Sequence, residues 1–311
     1  MNRLLAFVVT LIAATVALAA PTKSGRVEVN GVNYYYEIHG EIGSRPKAAD
    51  AAAGTTQLPL LLLHGGLGSI DMFGPLLPAL AKTRKVIAVD LHGHGRTALG
   101  DRPFSLQAMG DDMAAIVKKL GHEQVDVMGY SMGGGVAFRM AAQQPQSVRR
   151  LVIASAGYSD DGFYPELRQM QNAVGAAMAE QMKETPMYKS YMKVAPKKED
   201  FPRLLDTMGN YMRGHYDWSA DVAKLKGPVM LVFADSDMYK YEHIVKFYQL
   251  LGGGQKDAGW QREHMSKNRL AIVPDQTHYD LFMSPRLVPT VMPFLDGKSN
   301  AQTWAAQEKQ P

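Results

Sequence analysis

Short apolar runs, several of which end in glycine, constrain this chain more than any other feature of its sequence. Residues 58–66 read LPLLLLHGG, and residues 85–95 read KVIAVDLHGHG. Four further runs follow, at residues 124–130, 149–157, 227–237 and 269–278. Such short and continuous apolar runs are typical of parallel strands that helices cover on both faces.

Helical patterns separate these runs. One covers residues 105–120, a second follows Ser131, and two more cover residues 240–251 and 285–295. Strands that alternate with helices predict β-α-β units. We therefore expect an α/β fold with a mostly parallel central sheet that is flanked by helices.

The alternation is interrupted between residues 157 and 227. This interval is too long for a single crossover, and it carries helical patterning, several aromatic residues and seven methionines. We interpret residues 158–226 as an inserted helical cap on a core that residues 21–157 and 227–296 form. The flexible, polarisable methionine side chains suggest an adaptable apolar pocket above Ser131, a candidate site residue that is described below.

The two ends of the chain differ from the rest in composition. Residues 1–20 combine Arg3, an apolar stretch and small residues at the end, which predicts a secretory signal peptide cleaved near Ala19. The apolar stretch is near the lower limit for a spanning helix, so an uncleaved membrane anchor is the alternative. We expect export to the periplasm or medium without stable membrane anchoring. The polar residues 297–311 predict a flexible tail.

Composition excludes several kinds of site. The absence of cysteine rules out disulfides, a thiolate nucleophile and a cysteine-based zinc site. The net charge of +4 comes without a lysine–arginine block, so nucleic acid is not an expected partner.

His92 and His94 are close enough in the sequence to suggest a pair of metal ligands, but no carboxylate cluster accompanies them, and a role in supporting their loop is favoured. We expect neither a metal nor a cofactor.

Of the other seven histidines, His278 is taken up below as a possible partner of Ser131, and the remaining six lie in no recognisable site motif. We interpret His64 as a buried structural residue. The remaining five are most simply surface or cap residues; they are His39, His122, His215, His243 and His264.

Residues 129–133, GYSMG, hold one serine, Ser131, between two glycines. A predicted strand precedes this serine and a predicted helix follows it. A serine in that context projects from a sharp turn, and the glycines remove side chains that would clash there. Its hydroxyl is a weak nucleophile until a base takes its proton and an acid orients the base. Ser131 is therefore a candidate nucleophile that needs two partners.

Asp237 and His278 stand where such partners are expected. Each lies at the end of a predicted strand, and the two follow Ser131 in the order serine, acid, histidine that accompanies this kind of turn. The carboxyl ends of parallel strands meet at one edge of a sheet, so the three side chains can converge. One oxyanion donor is expected from the backbone N–H of Met132, the residue after the nucleophile.

Taken together, these motifs resemble those of α/β-hydrolase fold proteins, of the capped, cofactor-free esterase- and lipase-like kind. The resemblance extends from about residue 26 to residue 296. It rests on five segments: HGG (64–66), DLHGHGRT (90–97), GYSMGG (129–134), FADSD (233–237) and QTH (276–278).

The resemblance assigns roles to the candidate residues. It implies that Ser131 is the nucleophile, His278 the general base and Asp237 the acid that orients the imidazole. It also implies that the backbone N–H of Gly66 is the second oxyanion donor, beside that of Met132.

Two positions depart from the family pattern. Thr97 stands where the family usually has serine, in a loop that supports the site. Ala234 stands where many relatives have glycine, which leaves Asp235 open as the acid. Some relatives place the acid after the preceding strand, where this chain has Asp160 and Asp161.

These features predict an enzyme, a serine hydrolase that cleaves carboxylic esters of small to medium hydrophobic substrates through an acyl-enzyme on Ser131. A lactonase, an amidase, a C–C bond hydrolase or a perhydrolase could use the same triad, because the choice depends on the shape of the pocket. A non-catalytic ligand receptor on a hydrolase scaffold is the alternative of another class. The expected partner is a small ester-like molecule, and the oligomeric state is left open.

Overall fold

The computed structural model describes residues 20–41 and 57–298. The predicted signal peptide therefore lies outside the described residues except for Ala20, and the predicted tail lies outside them from residue 299 onward. No helix in the described ranges is both long and apolar enough to cross a membrane.

One eight-stranded sheet forms the centre of the described chain. Its strands, in chain order, are β1 (Lys23–Val29), β2 (Val32–His39), β3 (Leu60–Leu63), β4 (Val86–Val89), β5 (Val125–Tyr130), β6 (Val148–Ala154), β7 (Val229–Ser236) and β8 (Arg269–Thr277). Across the sheet their order is β1-β2-β4-β3-β5-β6-β7-β8. β1 and β2 form an antiparallel hairpin, β2 pairs antiparallel with β4, and the pairs from β4 to β8 are parallel.

Nine α-helices of the described residues accompany the sheet. They are α1 (Leu76–Ala81), α2 (Leu106–Lys119), α3 (Met132–Gln143), α4 (Pro165–Asn172), α5 (Pro186–Val194), α6 (Phe201–Arg213), α7 (Ser219–Val222), α8 (Tyr241–Leu250) and α9 (Leu287–Leu295). The predicted fold class, a mostly parallel sheet flanked by helices, is confirmed. The short helix α1 was not expected from the sequence.

The run of four leucines in β3 shows why these strands are apolar throughout. Leu61 and Leu63 pack in one cluster with residues of α2, α3 and α8. Leu60 and Leu62 point the other way, into a second cluster with residues of α1 and α9. All four are fully buried. A strand covered by helices on both faces has no position left for a polar side chain.

Residues 158–226, which we call the inserted segment, connect β6 to β7 and contain helices α4 to α7. Buried side chains of this segment form a third apolar cluster together with Leu99, and we call it the segment cluster. Its buried members are Leu99, Met182, Tyr191, Ala195, Phe201, Leu204, Leu205 and Met208. The predicted division of the chain into core, cap, leader and tail stays a prediction.

A buried ionic network joins distant parts of the core. The guanidinium of Arg84 is fully buried and bonds to the carboxylates of Asp126, at 3.1 Å, and Asp296, at 2.5 Å. Asp126 lies on β5 and is also paired with Arg149 at 2.7 Å, while Asp296 follows the last helix. The network therefore ties the end of the described chain to the sheet.

Replacing Arg84 with Met should destabilise the fold by about 3 kcal/mol, because the variant leaves two carboxylates short of a buried partner. Urea denaturation followed by circular dichroism measures the change. Lys189→Met is the matched control: it breaks an exposed pair with Glu184 and should change stability by less than about 1 kcal/mol. Equal effects of the two variants would contradict this account of the network.

Candidate active site

Ser131 occupies a strained turn between β5 and α3. Its backbone has φ 53° and ψ −122°, a conformation that costs a residue with a side chain about 1–3 kcal/mol. Backbone hydrogen bonds hold it there: its N–H donates to the carbonyl of Ala154 at 2.9 Å, and its carbonyl accepts from Gly135 at 3.1 Å. The turn leaves the serine side chain half-buried at the carboxyl edge of the sheet.

The two glycines of the motif are required by close backbone contacts. A Cβ atom on Gly129 would lie 2.1 Å from the carbonyl oxygen of Gly133, and one on Gly133 would lie 2.4 Å from that of Leu63. Neither obstacle is a side chain that could move aside. The first turn of α3 can therefore approach β3 and β5 this closely only with glycine at both positions.

The structure brings the three predicted triad residues together. Nε2 of His278 lies 3.0 Å from Oγ of Ser131, and Nδ1 of the same ring lies 3.1 Å from Oδ1 of Asp237. With the ring proton on Nδ1, His278 donates to the carboxylate and its Nε2 can accept from the serine hydroxyl. This arrangement is the one in which an imidazole can take the proton of a serine.

The carboxylate of Asp237 is almost completely buried and held by further donors. Oδ2 accepts from the hydroxyl of Ser155 and from the N–H of Ala234 at 3.0 Å, and Oδ1 accepts from the N–H of Met238 at 2.8 Å. The sequence analysis did not identify Ser155 as a residue of the site. The available signal was a polar residue directly after the apolar strand β6, at the edge where Ser131 and Asp237 were expected.

The alternative acids lie elsewhere. Asp235 accepts backbone hydrogen bonds from Asp275 and Gln276, and these donors lower the pKa of its carboxyl. Asp160 is paired with Arg168 at 3.1 Å and with His215 at 2.8 Å. In the described part of the chain, Asp237 is the carboxylate that contacts His278.

The two expected oxyanion donors are neighbours beside Ser131. A Cβ atom built on Gly66 would lie 3.9 Å from Cβ of Met132, and one on Gly65 would lie 3.3 Å from Cβ of Ser131. Met132 is the first residue of α3, where an N–H has no carbonyl one turn earlier to bond. Within the ranges that the structure describes, neither N–H donates a hydrogen bond to the protein.

His64 fixes the backbone before Gly66, as predicted. Its ring is fully buried: Nδ1 bonds to the carbonyl of Gly65 at 2.8 Å, and Nε2 accepts from the N–H of Leu91 at 3.0 Å. This pair of bonds needs a neutral ring that carries its proton on Nδ1. Burial lowers the pKa of His64 to about 4, so the ring keeps that form at neutral pH.

His92 and His94 are buried in the loop after β4 and bond to carbonyls of that loop, those of Leu99 and His92 respectively. Their surroundings support the predicted structural role.

The interpretation of His39 and His243 as surface or cap residues is wrong, since both are buried.

Both corrections have a tertiary cause. His39 is paired with Glu37 at 2.8 Å, and the ring of His243 stacks on that of Tyr158 with centroids 4.2 Å apart. The sequence places Glu37 two residues before His39 on the same strand, but it does not show that β2 lies inside the sheet, between β1 and β4, where both side chains are buried. Tyr158, the stacking partner of His243, is distant in the sequence and leaves no sign near that histidine.

Comparison with known proteins places the fold. A family model described as the α/β hydrolase fold matches residues 59–186. The 2-hydroxymuconate semialdehyde hydrolase of Pseudomonas sp. strain CF600 is 36% identical over 122 residues, which are 38% of this chain and 42% of that protein. A pimeloyl-[acyl-carrier protein] methyl ester esterase of Neisseria meningitidis serogroup B is 39% identical over 107 residues, which are 34% of this chain and 40% of that protein. The chain thus spans less than half the length of these two curated relatives.

The similarity in three dimensions is more extensive. A thermophilic esterase from Thermogutta terrifontis superposes with a TM-score of 0.65 over 88% of this chain and 98% of its own, at 18% identity. At that identity the likeness concerns the fold alone. The sheet order, the strained serine turn and the family match over residues 59–186 agree, and the chain has the α/β-hydrolase fold.

Proposed function

We propose that this protein is a serine hydrolase that cleaves carboxylic esters of small to medium hydrophobic substrates. The observation that carries the proposal is the 3.0 Å contact between Nε2 of His278 and Oγ of Ser131. Burial of Asp237 against the same imidazole supports it, because a buried carboxylate in that position fixes the tautomer in which Nε2 is free to accept.

In the proposed reaction, Oγ of Ser131 attacks the acyl carbon while His278 removes its proton. The oxyanion that forms is stabilised by the N–H groups of Gly66 and Met132, and such a donor contributes about 3–4 kcal/mol to lowering the barrier. His278 then protonates the leaving alcohol. A water molecule, deprotonated by His278, attacks the acyl-enzyme, and the acid leaves as Ser131 regains its proton.

The substrate preference in this proposal rests on the walls beside the oxyanion donors. Met132 and Leu67 pack against the segment cluster. Met208 of α6 is buried, and its Cε lies 2.8 Å from where a Cβ of Gly66 would stand. An acyl group bound to Ser131 would thus meet methionine and leucine side chains, which favour an apolar chain.

Other reactions share these catalytic groups. The relatives with similar sequences include a hydrolase of 2-hydroxymuconate semialdehyde as well as a methyl ester esterase. A lactonase, an amidase, a C–C bond hydrolase or a perhydrolase therefore remains an alternative on the same triad. A receptor without turnover is less favoured, because backbone strain at Ser131 is typical of a residue that acts chemically.

Ser131→Ala should abolish hydrolysis of p-nitrophenyl butyrate, with kcat reduced by about five orders of magnitude or to the background rate. A fluorophosphonate should label wild type once, on Ser131, and leave the variant unlabelled, as read by mass spectrometry. Ser24→Ala, on the exposed face of β1, is the control and should keep both properties. An adduct on another residue would contradict the assignment. Tight binding of a ligand without any turnover in wild type would favour the receptor.

Met208→Ala should shift the preferred acyl chain by about two to three carbons, since it frees the volume of a comparable number of methylene groups. Each buried methylene is worth about 0.8 kcal/mol, or roughly fourfold in kcat/KM. The measurement is kcat/KM across p-nitrophenyl esters from acetate to decanoate.

Met182→Ala is the matched control for Met208→Ala, because Met182 is buried in the same segment cluster. It should lower the Tm and leave the order of chain lengths unchanged. The same shift in both variants would show that looser packing of the inserted segment, and not the position of Met208, sets the preference.

A further inference from the structure

The segment that delivers His278 has little support from the sheet. His278 follows β8, which is the last strand of the sheet and pairs with β7 alone. The pairing is regular up to Ala234 and Val273, then breaks and resumes only between Ser236 and Thr277. Three residues of β8, numbers 274–276, therefore bulge out directly before the histidine.

Carboxylates take the place of the missing strand partner. Asp235, on β7 at the break, accepts the N–H of Asp275 on Oδ2 at 2.9 Å and that of Gln276 on Oδ1 at 3.1 Å. Asp280 accepts the N–H of Thr277 at 2.7 Å. Three consecutive N–H groups before His278 are thus each bonded to a side-chain carboxylate.

The bulge is strained, and Asp235 is itself anchored. Asp275 has φ 59°, in the left-handed region that disfavours residues with a side chain. The backbone carbonyl of Asp235 accepts from the hydroxyl of Tyr241 at 2.6 Å. On the far side of the histidine, the hydroxyl of the buried Tyr130 donates to the carbonyl of His278. The backbone of His278 is therefore held from both directions.

We propose that Asp235 is a positioning residue, whose carboxylate fixes the bulge at Asp275 and Gln276 and so places the imidazole of His278 against Ser131. This inference rests on the proposed function of Ser131 and His278. Asp235 touches neither the imidazole nor the serine, and it acts through the backbone. A misplacement of a catalytic group by about 1 Å can reduce the rate a hundredfold, which is why two hydrogen bonds at an exposed bulge have a catalytic consequence.

The test compares Asp235→Asn and Asp235→Ala in the full chain with p-nitrophenyl butyrate as substrate. Asparagine keeps one carbonyl acceptor for the two N–H groups, and alanine keeps none. We expect kcat to fall about tenfold in the asparagine variant and about a hundredfold in the alanine variant, with KM within twofold of wild type. The rate of fluorophosphonate labelling at Ser131 should fall in the same order.

Asp257→Ala is the matched control, because its exposed carboxylate likewise accepts a backbone N–H in a loop, that of Gly259 at 2.9 Å. It should leave kcat and KM unchanged. The folded fraction of every variant is measured by circular dichroism, and kcat is expressed per folded molecule. A loss that disappears after this correction, or wild-type kcat in Asp235→Ala, overturns the positioning role.

The same experiment separates this inference from the proposed function. Wild type without turnover, or Ser131→Ala with full turnover, defeats the proposed function and the inference with it. Turnover that depends on Ser131 but is unaffected at Asp235 defeats the positioning role alone.

Discussion

The close contact between the first turn of α3 and the ends of β3 and β5 is the constraint on which the site depends. Gly129 and Gly133 permit it, and it forces Ser131 into its left-handed conformation. The hydrogen bond from the N–H of Ser131 to the carbonyl of Ala154 anchors the turn to the end of the next strand, β6. A rigid sheet covered on both faces can hold such a conformation, whereas an isolated turn would relax.

The aspartates at the carboxyl edge show how surroundings divide the work among chemically identical residues. The side chain of Asp237 is buried and faces the imidazole, while Asp235, two residues earlier, is half-buried and bonds to the backbone N–H groups of Asp275 and Gln276. Side chains alternate between the two faces along a strand, so two residues that are separated by one other would share a face in a regular strand. Here the pairing of β7 with β8 breaks between Ala234 and Ser236, at Asp235. The break is what gives them different environments.

Much of the fold could be predicted because its signal is local. Each of the six apolar runs overlaps a strand, and the helical patterns contain helices. Burial on two faces demands apolar residues throughout inner strands such as β3, β4 and β5, whereas the edge strand β8 is buried only at Val273. The helix α1 escaped prediction because six residues with an internal proline give almost no helical period. The burial of His39 escaped prediction because β2 is an inner strand only once it pairs with both β1 and β4. The burial of His243 escaped it because its stacking partner, Tyr158, is distant in the sequence.

The sequence by itself determined the parallel sheet, the serine turn and the chain order of Ser131, Asp237 and His278, because glycine spacing and strand ends are written in consecutive residues. The tertiary structure decided that Asp237 is the aspartate that contacts the imidazole of His278 and that Ser155 donates to its carboxylate. It also decided that Met208 lies beside Gly66. These contacts join residues 41, 82 and more than a hundred positions apart. At such separations, distance is set by strand order and by the register break in β8, and neither can be read from a local pattern.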